Sequence, residues 1–165
     1  MSAMTISQAL RRVKKLKGEL ASHLLRAHTA VTHRAEQEPA FAFSKCLEGA
    51  SVARKEMLHL QTAIATVNAK THVDWEGQST SLALAARTLA ELRGEIAWVR
   101  ALPVKPQGKT TESEQEYESG KYMTVTKTFT CHLPEAEQAV LADKLQGKFD
   151  ALNDLVETAN HKTTV

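Results

Sequence analysis

Apolar side chains return every three or four positions over most of this chain, and helices follow from that period. Between about Thr5 and about Glu36, Ile6, Leu10, Val13, Leu16, Leu20 and Leu24 step along one face, and Val31 extends the stripe. Thr5 stands where an N-cap is expected, because its hydroxyl can accept a backbone N–H that the first turn leaves unpaired. Gly18 costs about 1 kcal/mol against alanine, and Pro39 closes the region. A second stripe, Phe43, Leu47, Ala50, Met57, Leu60, Ile64 and Val67, predicts a helix from about Ala42 to Thr71. His72–Ser79 reads as a turn, with Asp74, Gly77 and Ser79 as breakers. Leu82, Leu89, Leu92, Ile96 and Val99 predict a third helix from about Thr80 to Leu102, ended by Pro103, Pro106 and Gly108.

The period then shortens. Glu112, Glu114, Glu116 and Glu118 alternate with Ser113, Gln115 and Tyr117, and Lys121–His132 is rich in Thr, Val, Tyr and Phe. Alternation and β-branching predict strands, and Ser119-Gly120 predicts a tight turn between them. The result is a β-hairpin at about 111–132 with one acidic, solvated face. The last helix starts near Pro134, a suitable first-turn residue. It carries Val140, Leu141, Leu145, Phe149, Leu152 and Leu155 and frays near Asn160. The expected fold is mainly α: a long antiparallel helical hairpin or bundle of four helices, with a small β-hairpin before the C-terminal helix. All of it is read as one domain, 1–165, with helices at about 5–36, 42–71, 80–102 and 134–160.

Composition adds limits rather than identity. The chain has 165 residues, of which 42% are hydrophobic, 24% charged and 5% aromatic, with a formal charge of +2. So few aromatics favour packed Leu, Val, Ile and Ala helices, and so small a charge does not imply nucleic acid as a partner. No apolar run reaches the roughly 18 residues of a membrane span, and Met1–Ile6 lacks a signal-peptide core. A cytoplasmic protein with no membrane partner is expected, in the host cytoplasm if it is encoded by a phage. Cys46 and Cys131 are read as free thiols in a reducing compartment, a single long-range disulfide being the alternative. A helix of about 30 residues is about 45 Å long, against a radius of gyration of roughly 15 Å for a compact domain of this size. The long stripes therefore call for a partner, and a homo-oligomer is expected. Arg11, Arg12, Lys14, Lys15, Lys17, Arg26 and Arg34 make the first helix basic. Glu135, Glu137, Asp143, Asp150, Asp154 and Glu157 make the last one acidic, and the two are complementary in charge.

Three segments carry a family resemblance. They are Ile64-Ala-Thr-Val-Asn68-Ala-Lys-Thr71 followed by Glu76-Gly77-Gln78-Ser79 and Ala83-Leu84-Ala85-Ala86-Arg87; Lys121-Tyr122-Met-Thr-Val; and Leu152-Asn-Asp-Leu-Val-Glu-Thr-Ala-Asn160-His161-Lys-Thr163. In order and spacing they resemble the septicolysin-like family of small helical proteins of bacteria and their phages, over roughly residues 5–165. Asn68, Gly77, Ser79, Arg87, Asn160 and Thr163 match that pattern. Gln78, Ala86 and His161 depart from it, standing where arginine, arginine and tryptophan are usual. The resemblance implies a small helical protein and brings no established enzyme activity.

Candidate chemistry is sparse. His23, His28 and His33 are spaced by five, so each turns about 140° from the last and they share no helix face. No His-Glu-x-x-His, paired Cys-x-x-Cys, Gly-x-Ser-x-Gly or phosphate loop occurs, so no metal, cofactor or catalytic residue is expected. Cys46 beside Lys45 reads as a structural cysteine. The basic run Arg11–Lys17 is compatible with phosphates but lacks interleaved aromatics, so nucleic acid is not the expected partner. The residues that suit a ligand are Asn68, Thr71, Trp75, Arg87, Tyr122, Asn160 and His161. Asn offers donor and acceptor, Arg a planar fork for phosphate, and Trp a stacking face. They fit a non-enzymatic oligomer that holds a small anionic, nucleotide-like molecule. One form of this is a phage anti-defence sponge that sequesters an ADP-ribose-type or cyclic-nucleotide immune signal. The alternative is a helical scaffold or protein-interaction module without a small ligand.

Overall fold

The structure, a computed structural model, describes residues 3–104, 109–118, 120–130 and 132–165. Its elements are α1 (Ile6–Ala30), α2 (Phe43–Lys70), β1 (His72–Trp75), β2 (Gln78–Ser81), α3 (Leu82–Arg100), β3 (Lys109–Glu118), β4 (Lys121–Thr130) and α4 (Glu135–Lys162). The fold is mainly α, with four helices and an antiparallel hairpin ahead of the last one, as the periodicity predicts. The chain divides into two compact units. One takes in the chain up to Ala86 together with Asp154–Val165, and the other is Arg87–Asn153.

In the first unit Thr5 caps α1 as expected. Its hydroxyl accepts the Gln8 N–H at 3.3 Å, and the Gln8 side-chain oxygen accepts the Thr5 N–H at 2.9 Å. This reciprocal box satisfies two donors that the first turn leaves over. The chain end straps the same place: the Ile6 N–H donates to the Thr163 carbonyl and the Val165 N–H to the Met4 carbonyl, each at 2.9 Å. Beneath the strap Ile6, Ala9, Val13, Ile64 and Leu82 form the apolar centre, with Met57, Leu60, Val67, Val73, Val156 and Ala159 against it.

Two readings of the pattern change here. Helix α1 stops at Ala30, six residues before Glu36, and Val31 is its exposed C-cap. Beyond Ala30 the polar stretch Thr32–Glu38 offers no side chain to bury, and a helix without a buried face has little to hold it. The segment His72–Ser79 is more than a turn, since it holds most of a two-stranded sheet pairing His72 with Ser81 and Trp75 with Gln78. Only Glu76 and Gly77 turn, at φ 50° and 78°. Positive φ at both central residues is what a two-residue hairpin link requires, and glycine meets it without strain.

In the second unit α3 buries Leu89, Leu92, Ile96 and Val99, and α4 buries Ala142, Leu145 and Leu152. Val140 and Leu141, which belong to the predicted stripe, are exposed instead. The Gln138 amide donates to the Val99 carbonyl at 2.7 Å and the Leu102 carbonyl at 3.2 Å. It thereby ties the start of α4 to the C-terminal end of α3, at carbonyls that also accept the Leu102 and Val104 N–H groups. Strands β3 and β4 pair antiparallel from Lys109↔Thr130 to Glu118↔Lys121. Their acidic face is partly neutralised, because the Lys127 ammonium lies 2.9 Å from Glu114 and 2.5 Å from Glu116. Hydrogen bonds to those carboxylates raise the Lys127 pKa above the ordinary lysine value. The predicted turn residue Ser119 and the thiol Cys131 lie outside the described residues, while Cys46 is buried and unpaired.

Thr5→Ala removes the acceptor of the capping box. It is expected to lower unfolding stability by about 1 kcal/mol, read as a shift in the urea midpoint at unchanged slope.

Candidate functional site

Helices α1 and α2 run antiparallel and, besides the buried Leu16, meet through small side chains. Ala27 and Ala30 are buried on one helix, and Cys46, Ala50 and Ala53 on the other. Gly49 belongs to the same seam: a Cβ there would stand 2.5 Å from Cε1 of His23 and 2.8 Å from each ring nitrogen. The imidazole occupies the space that glycine leaves.

One flank of this seam is a polar groove of about 430 Å³, lined by Arg12, Glu19, His23, Lys45, Glu48, Val52 and Glu56 among others. Arg12 grips Glu56 with two hydrogen bonds, Nε to Oε1 at 2.7 Å and Nη2 to Oε2 at 2.8 Å, and lies 3.7 Å from Glu19. Hydrogen bonding to the guanidinium holds the Glu56 carboxyl below its ordinary pKa, and that of Arg12 rises in turn. The pair's contribution is complete above the ordinary glutamate pKa and is lost as pH falls through the lowered one. With both side chains more than a third exposed, that contribution is small.

The opposite flank has another character. At about 100° per residue, Leu10, Lys14, Lys17 and Leu24 of α1 and Phe43, Leu47, Arg54 and Leu58 of α2 turn away from the groove. Leu10, Leu24, Phe43, Leu47 and Leu58 are each 41% to 53% exposed. The acids of these two helices, Glu19, Glu48 and Glu56, all line the groove. The apolar flank therefore carries cations without acids. Since Arg12 pairs with Glu56, Leu10 and Leu58 fall at one level, Leu24, Phe43 and Leu47 at the far level, and Lys17 and Arg54 between them.

The second unit holds a smaller groove of about 250 Å³ between α3 and α4, lined by Arg93, Ile96, Ala97, Arg100, Gln146 and Phe149. The Arg93 guanidinium lies 5.3 Å from the Phe149 ring centre, and Arg100 donates to the Gln146 side-chain oxygen at 3.4 Å.

The residues expected to hold a ligand are spread over both units. Asn68, Thr71, Trp75, Asn160 and His161 belong to the first; Arg87 and Tyr122 belong to the second. Asn68 and Thr71 end α2, where the Thr71 N–H donates to the Val67 carbonyl. Trp75 ends β1 half-buried, and Asn160 and His161 lie in the last turn of α4. Both groups hang on the same apolar centre through Val67, Val73 and Ala159. The Asn68 side-chain oxygen is buried without a hydrogen-bond partner. Arg87 is exposed on α3, and Tyr122 is exposed on β4 with its ring 5.0 Å from that of Tyr117. Among the described residues no group of three or more His, Cys, Asp or Glu gathers, and no helix is long and apolar enough to cross a membrane.

The basic apolar flank and the arginine groove escaped sequence reading. The flank's signal was present in the phase of Glu19, Glu48 and Glu56 against the leucines. It becomes legible only once the seam is known to run through the alanines.

Comparison with known protein families, with curated proteins and with solved structures finds no match to this chain.

Gly49→Ala drives a methyl group into the His23 ring and is expected to destabilise the protein by about 1–3 kcal/mol. In a thermal-melt cycle with His23→Ala, the two losses should fall well short of additive, because the second change removes the clash.

Proposed function

We propose that this protein is a non-catalytic docking module whose α1–α2 hairpin receives an acidic amphipathic helix of a partner protein. The observation that carries this reading is the segregation on the hairpin. Glu19, Glu48 and Glu56 line one flank, and the other presents Leu10, Leu24, Phe43, Leu47 and Leu58 around Lys14, Lys17 and Arg54. Two antiparallel helices offer a valley for a third, which is the helix-in-groove mode of recognition. The partner's apolar ridge would cover the leucines, and its carboxylates would meet Lys17 and Arg54 midway.

A labelled synthetic helix with leucines on one face and glutamates beside them is the test. It should bind in fluorescence anisotropy, weaken with salt, and lose about tenfold or more in affinity to Lys17→Glu/Arg54→Glu. Equal binding of a lysine-flanked helix, or an unchanged affinity in the double variant, overturns the reading.

A second reading keeps the small anionic, nucleotide-like ligand, with the septicolysin-like resemblance as its sequence-level support and a homo-oligomeric phage sponge as its biological form. The arginine groove favours it. Two guanidiniums suit phosphate oxygens, Phe149 offers a ring for stacking, and the Gln146 amide suits a base edge. Titration calorimetry with ADP-ribose and cyclic nucleotides should give heat that disappears in Arg93→Ala/Arg100→Ala. No heat with any of them removes this second reading and leaves the first untouched.

A further inference from the structure

The β3–β4 arm is a sheet of two strands, ten residues each, and among the described residues no further strand pairs with either edge. Of β4's side chains only Val125 and Lys127 are half-buried, and the rest are exposed. A two-stranded hairpin alone is marginal in water, and stability comes with a third strand or a covering layer.

The two edges are not equivalent. β3 places glutamate at 112, 114 and 116, on alternate positions. An antiparallel pairing of β3 with its own copy about any residue from Glu112 to Glu116 sets Glu against Glu, which disfavours it. β4 has no acid. It offers Tyr122, Thr124, Val125, Thr126, Thr128 and Phe129, residue types that favour strands. Glu118 pairs with Lys121 across a two-residue link. Such a closing pair is hydrogen-bonded, so by alternation the backbone groups of Tyr122, Thr124, Thr126 and Thr128 face the free edge.

Charge then excludes one of the central registers of β4 against β4. A two-fold axis at Thr124 opposes Lys121 with the copy's Lys127, twice. An axis at Val125 removes that clash and puts Lys127 opposite Met123 and Lys121 opposite Phe129. It also pairs Thr124 with Thr126 and Tyr122 with Thr128, and sets Val125 against itself as a non-hydrogen-bonded pair. Edge backbone groups, side-chain types and charges all permit this arrangement, which pairs nine of the ten β4 residues.

We infer that two copies of this chain join along β4 about Val125, making a four-stranded antiparallel sheet in the order β3-β4-β4-β3. This surface does not involve the α1–α2 flank, and the inference does not rest on the docking reading. Residues opposed as a non-hydrogen-bonded pair come close enough for a disulfide.

The test uses the full chain in a Cys131→Ser background under mild oxidation. Val125→Cys should convert most of the protein to a covalent dimer, whereas Thr128→Cys and Gln115→Cys, far from their own copies, should not. Without the cysteine variants, light scattering should give twice the 18.1 kDa chain mass. Thr126→Pro, which deletes an N–H facing the free edge, should return it to the single-chain mass with its helical circular dichroism intact. A parent chain of single mass, no cross-link at position 125, or equal cross-linking at 115 or 128 overturns the inference.

Discussion

A Cβ on residue 49 would stand 2.5 Å from the His23 ring, so α1 and α2 can hold this approach only because position 49 is glycine. Ala27, Ala30, Cys46, Ala50 and Ala53 continue the same narrow seam. The narrowness has a cost. Fully burying a leucine contributes roughly 1.5–3 kcal/mol, and alanines bury far less apolar surface. Where the seam is made of small residues, Leu24, Phe43 and Leu47 do not fit inside it and come to rest on a flank. At the other end of the hairpin, Ile6, Val13, Ile64 and Leu82 restore an ordinary core, closed by the strap from the chain end. Stability is therefore graded along the hairpin, and the outer part is the softer one.

Charge follows the same geometry. Arg12 spends its guanidinium on Glu56, so part of the excess basic charge of α1 is answered by α2. These exposed ion pairs add little to folding. The acids of both helices lie on one flank, and Lys14, Lys17 and Arg54 lie on the other with no acid of either helix beside them. In the arm, Lys127 does for β3 what Arg12 does on the hairpin: it gathers Glu114 and Glu116 while the neighbouring strand stays free of acids. A protein with few aromatics and a small net charge thus acquires surfaces of different chemistry through placement alone.

The element types were written in the order of residues. The 3.6-residue period marked four helices, the alternation of Glu112 to Glu118 marked a strand, and Thr5 marked where α1 begins, because these signals are local. The helix end at Ala30 and the sheet at His72–Ser81 were not legible. The first depended on what α2 could cover, and the second on backbone pairing that a four-residue strand hardly signals. Of the candidate surfaces, the side chains were all in view, Asn68, Arg87, Lys17 and Arg93 alike. Their grouping was not, because two residues on different helices become neighbours only through a crossing that neither helix encodes alone.

The sequence by itself determined that this chain is helical, that α1 opens at Thr5, and that a strand pair precedes the last helix. Each follows from contacts between residues a few positions apart. Tertiary structure alone decided which apolar residues are interior. The leucines of the α1 and α2 stripes read as the core, yet Leu10, Leu24 and Leu47 are exposed, while Leu16 lies within together with Ala9, Ala27 and Ala50. The reason is steric: where the two helices close on Gly49 and the alanines, the space between them does not admit Leu24 or Leu47, which stay on a flank.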